Sequence, residues 1–586
     1  MRGFQNKVLR INLSEKTFSY EPLNMEWAKK YIGGKGLGIK YLYEELAPNT
    51  DPFSPENKLI FMTAPLTGTT VPCSGKLAII SRSPATGTIL DCSIGGHIAN
   101  EIKFAGYDAV ILEGALDEPG VLSIKDDVIE FLPAEDLWGK GSHETETALL
   151  EQHGEDTKVL SIGPAGENLS TMACINSEYY RQAGRGGIGS VMGSKKLKAV
   201  VVKGTGGVKV HDTAKTLKRI NEIMREDTLT DDNLWAYTDG TAMIVEMSQN
   251  TGILPTRNFQ DGTFDGYQGI DAEAMKKARA GKKACGGCAL GCGNFTRTPR
   301  GVVEGPEYET IALCASNCGI GDLDALVKFN DLCDDMGLDT ISVGNTTAFA
   351  MEMTEKGIRD FGLRFGDIEA YLKVPEMIAR KEGVGVELGM GTRELAKRYG
   401  GEEFAMQVKG LEFPGYEPRG SWGMGLAYAT SDRGACHMRA WPAAMEAYGD
   451  LDPFTVEGKA QLVMEMQNSN AVKFSLILCD FWAAGEETMA EVLNLITGEN
   501  YTAEELLVIG ERVVNIARAF NIREGFTGAH DTLPGRIFND ALKSGATEGK
   551  KIPKEDFDRM LEEYYQLRGW KTDGTIGEEK AAALEM

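Results

Sequence analysis

Residues 284–294 read ACGGCALGCGN. Cys285, Cys288 and Cys292 fall within eight residues as C-x2-C-x3-C, with Gly286, Gly287, Gly291 and Gly293 around them. Soft thiolates so closely spaced suit one face of an iron–sulfur cluster, or a zinc ion. Glycine lets the backbone wrap tightly and aim N–H groups at sulfur. Lys282 and Lys283, at the end of a basic run read as helical (MKKARAGKKAC), would offset some of the negative charge. Structural zinc usually takes two paired knuckles or a neighbouring His. The chain has no second C-x2-C, and no His lies between His211 and His437, so zinc is the weaker reading. The spacing also differs from the C-x3-C-x2-C of enzymes that use S-adenosylmethionine for radical chemistry, and from the C-x2-C-x2-C of bacterial ferredoxins. A [4Fe–4S] cluster with a distant fourth cysteine fits best. Spacing alone leaves Cys314, Cys318, Cys333, Cys436 and Cys479 open for that place, each with a buried structural thiol as the plain alternative.

The rest of the chain sets bounds on that reading. Its 586 residues suffice for several domains and a large core. The net charge of −24 argues against a nucleic-acid backbone as partner. The N-terminus runs straight into the strand pattern VLRINL without an apolar leader, and no apolar run approaches the ~20 residues of a membrane span. These features lead us to expect a soluble cytoplasmic protein. Eleven cysteines in such a chain point to metal ligands and buried thiols rather than disulfides. Glycine, at 70 of 586 residues, exceeds the usual ~7% and collects in short clusters, where backbone must come close to something.

Residues 1–208 read as β-rich. KVLRINL, KLAIISRS, YDAVILEG, GVLSIK, TKVLSIG and LKAVVVKG are short strand-like runs bounded by turn residues. After GTGGVKVHD (204–212) the period becomes helical, as in DLDALVKFNDLCDDMG, QLVMEMQNSNAVKFSLILCDFW and AEELLVIGERVVNIARAFNIREG. A second boundary falls within KGLEFPGYEPRGSWG (409–423), which gives mainly helical domains over 209–412 and 413–586. The fold class is α+β and multidomain, without internal repeats.

Other stretches carry chemistry. In CDDMGLD (333–339), Gly337 reads as a left-handed helix cap that leaves Asp334 and Asp339 at a helix C-terminus. Carboxylates are electrostatically disfavoured there and need partners. A donor-rich heterocycle such as a pterin would serve; a solvated acidic turn is the plain alternative. RQAGRGGIGSVMGSKKLKA (181–199) is Gly-rich and basic, and its N–H groups with Arg185 could cradle phosphate, although it has no Walker or dinucleotide spacing. YIGGKGLG (31–38) is a weaker case of the same kind. EGPEYET (304–310) groups three carboxylates around a tyrosine, suited to a general base or to a surface loop. SDRGACHMRA (431–440) sets His437 between Cys436 and Arg439 in a polar stretch.

Taken in order, GGKGLG, AGRGGIGSVMGSKKLKA, CGGCALGC, EGPEYET, DDMGLD, DRGACHMRA and REGFTGAHDTLPGR resemble the tungsten-containing aldehyde:ferredoxin oxidoreductase family along nearly the whole chain. The resemblance implies a β-rich N-terminal base beneath a bis-pterin tungsten cofactor, two mostly helical domains over it, and a [4Fe–4S] cluster close by. It implies Cys479 as the fourth cluster ligand beside Cys285, Cys288 and Cys292. It assigns Asp334, Gly337, Leu338 and Asp339 to the first pterin. The Gly-rich loop Ala183, Gly184, Arg185 and Gly186 goes to the pterin phosphates, with Ala183, and Ser93 in DCSIGG, at a bridging Mg²⁺. Glu309, after Tyr308, and His437 would stand beside the metal. Molybdenum takes the same dithiolene ligands and remains open.

The implied function is oxidation of aldehydes to carboxylic acids, reversibly, with electrons passing through the cluster to ferredoxin or a small iron–sulfur subunit. Two alternatives use the same scaffold: low-potential reduction of an aromatic acyl-CoA or carboxylic acid, and an electron-transfer scaffold with no catalysis of its own. Two departures stand out. The family's second pterin motif, D-x-x-G-L-C, is here Phe474 to Cys479, with Phe474 and Ile477 replacing Asp and Gly. The second pterin then needs other contacts near Leu478, with Lys473 and Asp480 the candidates. None of the six His has Glu three residues before it, so an E-x-x-H metal bridging two subunits is not expected.

Overall fold

The computed structural model describes residues 1–298 and 301–586. Strands β1 (Val8–Asn12), β2 (Thr17–Glu21), β3 (Leu59–Met62), β4 (Leu77–Arg82), β5 (Ile89–Ile94) and β6 (Ala109–Glu113) form one sheet in the order β2-β1-β6-β3-β4-β5. Strands β7 (Gly120–Lys125), β8 (Val128–Pro133), β9 (Lys158–Ser161), β10 (Ile175–Ser177), β11 (Arg181–Ala183) and β12 (Leu197–Lys203) form a second, in the order β11-β10-β9-β12-β7-β8. Each sheet contains one parallel pair, β1–β6 and β7–β12, among antiparallel neighbours. All six runs expected as strands are strands.

The period of two explains how the layers stack. Leu9, Ile11, Leu59, Phe61, Leu77 and Ile79 face the second sheet, in one apolar layer with Leu122, Leu160, Val200 and Val202. The alternate residues Val8, Ile60, Met62, Ala78, Ile80 and Ile111 point the other way. They pack on helices from the far end of the chain, through Val472, Leu476, Val513, Ile516 and Phe520. The first sheet is thus buried on both faces, and its strands read as continuous apolar runs.

A third core joins residues 242–463 to Leu533–Trp570. The helical part therefore shares one core across position 412, while Ala471–Phe520 belongs to the core under the first sheet. The basic run before the cysteines is not wholly helical. The helix Ala272–Ala278 stops, and Arg279–Lys283 is strand β13 of a three-stranded antiparallel sheet with β14 (Gly293–Thr298) and β15 (Gly301–Glu304). Among the described residues no single helix is long and apolar enough to cross a membrane.

Candidate active site

The cysteine loop is the connection between β13 and β14, so that sheet fixes its position. The helix Lys459–Leu476 ends against it. Ile477 takes the left-handed cap at φ 62°, and Cys479 follows. The apolar layer under the first sheet reaches Cys288, Cys292 and Cys479 together. Among the open candidates Cys479 alone is there: Cys314, Cys318 and Cys333 lie in the helical core, and Cys436 is held by arginines. Among the described residues no three Cys, His, Asp or Glu side chains converge as ligands of one ion would.

A fifth cysteine joins them that spacing gave no reason to choose. Cys73, in the loop before β4, has its sulfur 3.8 Å from that of Cys288. Its N–H donates to Gly287 O (3.1 Å), and its carbonyl accepts the N–H of Cys479 (2.9 Å). The cations nearest the thiols also differ from expectation. Lys76 Nζ pairs with Asp480 at 2.8 Å, and Arg181 faces Cys285, Cys292 and Glu304. Lys282 instead donates to backbone carbonyls and to Asn294, and Lys283 lies over the Tyr180 ring.

Next to the nest is a cavity of about 430 Å³, lined by Arg181, Cys292, Glu309, Tyr416, His437, Trp441 and Asp480. Glu309 is fixed by a one-turn helix, Tyr308–Thr310, and its Oε2 accepts the Gly415 N–H at 2.8 Å. Its Oε1 lies 3.6 Å from His437 Nδ1, and neither atom has a hydrogen-bond partner. The Tyr416 ring tilts against the imidazole, with centroids 5.7 Å apart. Burial pushes the Glu309 carboxyl up to about 8. Burial, then the Arg185 guanidinium, holds His437 down at about 3. Near neutral pH the pair is a protonated acid beside a neutral imidazole. EGPEYET is therefore not a surface loop, and His437 lines the same cavity as Glu309.

Arg433, which the sequence reading did not single out, joins Arg185 and Arg439 around Cys436. Arg433 donates to Cys436 Sγ (3.1 Å) and to Asp91 O (2.8 Å). Burial pushes the Cys436 thiol up, but Arg433, Arg439 and Arg185 outweigh it and hold the thiol below its ordinary range. Arg185 Nη1 donates to Ala435 O (2.7 Å) and Nη2 to Glu412 O. Buried N–H groups on Arg181, Arg185 and Arg433 make no hydrogen bond, although Arg185 Nε lies 3.7 Å from Asp339 Oδ2.

Asp334 and Asp339 are buried rather than solvated. Gly337 is the left-handed cap, at φ 74°. Asp334 accepts from Gln182 Nε2 (2.9 Å) and Asn330 Nδ2 (3.1 Å). Asp339 caps the next helix through Ile341 N and Ser342 N. Both carboxylates thus have the partners that their place requires, and the turn is not a solvated one. The Gly337 and Leu338 backbone is stitched to Ala173–Cys174, and Gly184 lies against Asp339. Gly186 O accepts from Ser83, and Gly186 itself sits at φ 78°, against Leu90. Ala183 on β11 and Ser93 on β5 belong to strands of the two sheets that pack on each other. Lys473 donates to Trp482 O (3.3 Å) and does not line the cavity, whereas Asp480 does; Leu478 is buried behind it.

The glycines of YIGGKGLG allow close packing, Gly34 and Gly36 against residues of the late helices and Gly38 against Ile80 of β4. A Cβ on Gly34 would lie 2.3 Å from Phe474 O and 2.5 Å from Ile477 Cδ1. Lys35 is buried in ion pairs with Asp91 (2.9 Å) and Asp432.

Comparison with known proteins agrees with this architecture. The family description "Aldehyde ferredoxin oxidoreductase, N-terminal domain" matches residues 8–204, and "domains 2 & 3" of the same family matches residues 215–586. The chain is 41% identical over 606 aligned positions to a tungsten-containing aldehyde ferredoxin oxidoreductase of Pyrococcus abyssi, covering 100% of this chain and 99% of that one. It is 31% identical to the WOR-like subunit of an aliphatic sulfonate oxidoreductase of Pyrococcus furiosus, covering 99% and 96%. In fold it resembles the active-site complex BamBC of benzoyl coenzyme A reductase in complex with 1,5-dienoyl-CoA. That match has a TM-score of 0.85 and 24% identity, over 100% of this chain and 97% of that one. Fold and relatives define the class as an oxidoreductase. The chain belongs to the aldehyde ferredoxin oxidoreductase family.

Proposed function

We propose that the protein oxidises aldehydes to carboxylic acids, reversibly, at a tungsten bis-pterin centre in the cavity, and sends the electrons out through a [4Fe–4S] cluster. The observation that carries this reading is the pair Glu309 Oε1 and His437 Nδ1, 3.6 Å apart, buried and without hydrogen-bond partners, in a cavity that Cys292 also lines. A pure electron-transfer scaffold has no use for such a pair. The N–H groups of Arg181, Arg185 and Arg433 that make no hydrogen bond fit an anionic, phosphate-bearing cofactor. When bound, the centre supplies Lewis acidity and takes two electrons per turnover.

The chain's own groups do the rest. Cys285, Cys288, Cys292 and Cys479 would hold the cluster. The Asp334–Asp339 turn would border the first pterin, and Asp480, rather than Lys473, the second. Ala183 and Ser93 would serve the Mg²⁺ between the phosphates. Aldehyde plus water gives carboxylic acid, two electrons and two protons; the ionised form of Glu309 accepts one of these protons and the other passes to water. His437 stays neutral and orients the substrate oxygen or water. The electrons go to ferredoxin or to a small iron–sulfur subunit, a role the subunit relationship of the sulfonate relative supports.

Metal analysis together with aldehyde-dependent reduction of a viologen dye tests the reading. Glu309→Gln and His437→Asn should each lower turnover about 10²–10⁴-fold with tungsten and iron retained. Full activity in both, or iron without tungsten or molybdenum, would overturn it. Reduction of an aromatic acyl-CoA in place of aldehyde turnover would favour the second chemistry on this scaffold.

A further inference from the structure

Five thiols gather where a [4Fe–4S] cluster would need four. Cys73 is 2% exposed, while the other four are only partly buried. Its backbone is left-handed at φ 59°, a conformation a residue other than Gly adopts at a cost and usually for a reason. Two hydrogen bonds hold it there, one to Gly287 beside Cys288 and one from Cys479. Gly75 lets the same loop lie on the cluster loop, since a Cβ there would sit 2.3 Å from Gly286 O. The loop is thus built against two ligand segments, and its sulfur points at one ligand.

The sulfur–sulfur distance says what it can do. Two sulfurs on one tetrahedral metal at about 2.3 Å lie about 3.8 Å apart, and Cys73 and Cys288 are 3.8 Å apart. The Cys73 thiol, in hydrogen-bond contact with the Cys288 sulfur, is therefore within reach of the corner that Cys288 would address. We propose that Cys73 is a reserve ligand for the iron that Cys288 holds: beside that sulfur in the resting protein, and bonded to the iron when Cys288 is lost. The exchange moves no electrons. One iron–sulfur bond breaks, one forms, and the Cys73 proton passes to the departing thiolate or to water. This inference rests on the [4Fe–4S] reading above.

Single alanine variants of the five cysteines, produced anaerobically in the full chain, test it by iron content and by the EPR signal of the reduced cluster. Cys285→Ala, Cys292→Ala and Cys479→Ala should lose the cluster. Cys288→Ala should keep it, with a shifted EPR spectrum, and Cys73→Ala should keep it unshifted or nearly so. The double variant Cys73→Ala with Cys288→Ala should lose it. Cluster loss in Cys288→Ala as complete as in the other three overturns the proposal, and so does retention in the double variant. Cys288→Ser covers failure of the alanine variant to fold: an all-sulfur iron–ligand Raman spectrum supports Cys73 at the corner, and an oxygen-ligated one overturns it. A wild-type protein without four-iron EPR would remove the cluster reading itself, an outcome distinct from loss confined to Cys288→Ala.

Discussion

Glu309 carries a proton at neutral pH, so it is competent as a base only as the pH rises through about 8. The rate constant kcat/KM for aldehyde oxidation should climb to a plateau above about pH 8, and Glu309→Gln should remove that limb. A wild-type profile flat across this range would exclude Glu309 as the base. The same shift bears on stability. The folded carboxyl holds its proton more tightly than the unfolded one, whose ordinary value is 4.5. Its contribution is therefore fully present below about pH 4.5, falls as the pH rises, and levels off above about 8. The Tm of Glu309→Gln relative to wild type should rise across that window, as scanning calorimetry would report. His437, held down at about 3, stays neutral in the folded protein while the unfolded imidazole takes up a proton below its ordinary 6.5. It therefore adds an opposite slope below about pH 6.5 that is common to wild type and Glu309→Gln and cancels in the comparison. The residue types of this pair were legible in EGPEYET and DRGACHMRA. Their protonation was not, because it comes from burial by segments distant in the chain.

At the scale of elements, the junction of the helices Gly34–Glu45 and Lys459–Leu476 is the informative one. Ile477 is β-branched, sits at φ 62°, and presses on Gly34. Ile477→Gly would relieve about 1–2 kcal/mol of backbone strain but forfeit a fully buried side chain, a loss of about 2–5 kcal/mol. The second effect is larger, so the variant should be destabilised by about 1–3 kcal/mol in urea unfolding. Gly34→Ala should cost as much or more, because the atom it meets is backbone. The strands were legible because their apolar runs are bounded by turn residues. Strand β13 was not: its Arg and Lys belong to a partly exposed edge, where no apolar alternation marks a strand. Cys73 was invisible for a related reason. A single cysteine has no spacing, and only the approach of its loop to the cluster loop gives it a neighbour.

Across the whole molecule, the cysteine nest ties the sheet Arg279–Glu304 to the far end of the helix Lys459–Leu476 and to the loop before β4. Stripping the iron anaerobically with a chelator should therefore raise hydrogen exchange in residues 71–76, 285–293 and 477–484 together. Exchange in β7, β9 and β12, whose neighbours lie elsewhere, should be unchanged. Exchange confined to 285–293 would mean that the cluster is not a shared anchor. The broad division into a β-rich base and helical cover was legible from periodicity. The single helical core running across position 412 was not, since long-range contact leaves no local pattern.

One consequence of the doubly buried first sheet concerns synthesis on the ribosome. Val8, Ile60, Met62, Ile80 and Ile111 emerge early, but the side chains that cover them, from Val472 to Phe520, are among the last translated. At about 5–20 residues per second, the nascent chain holds this oily surface bare for tens of seconds. Chaperone capture of N-terminal fragments should accordingly be strong, and should end once the segment through Phe520 has been released from the exit tunnel.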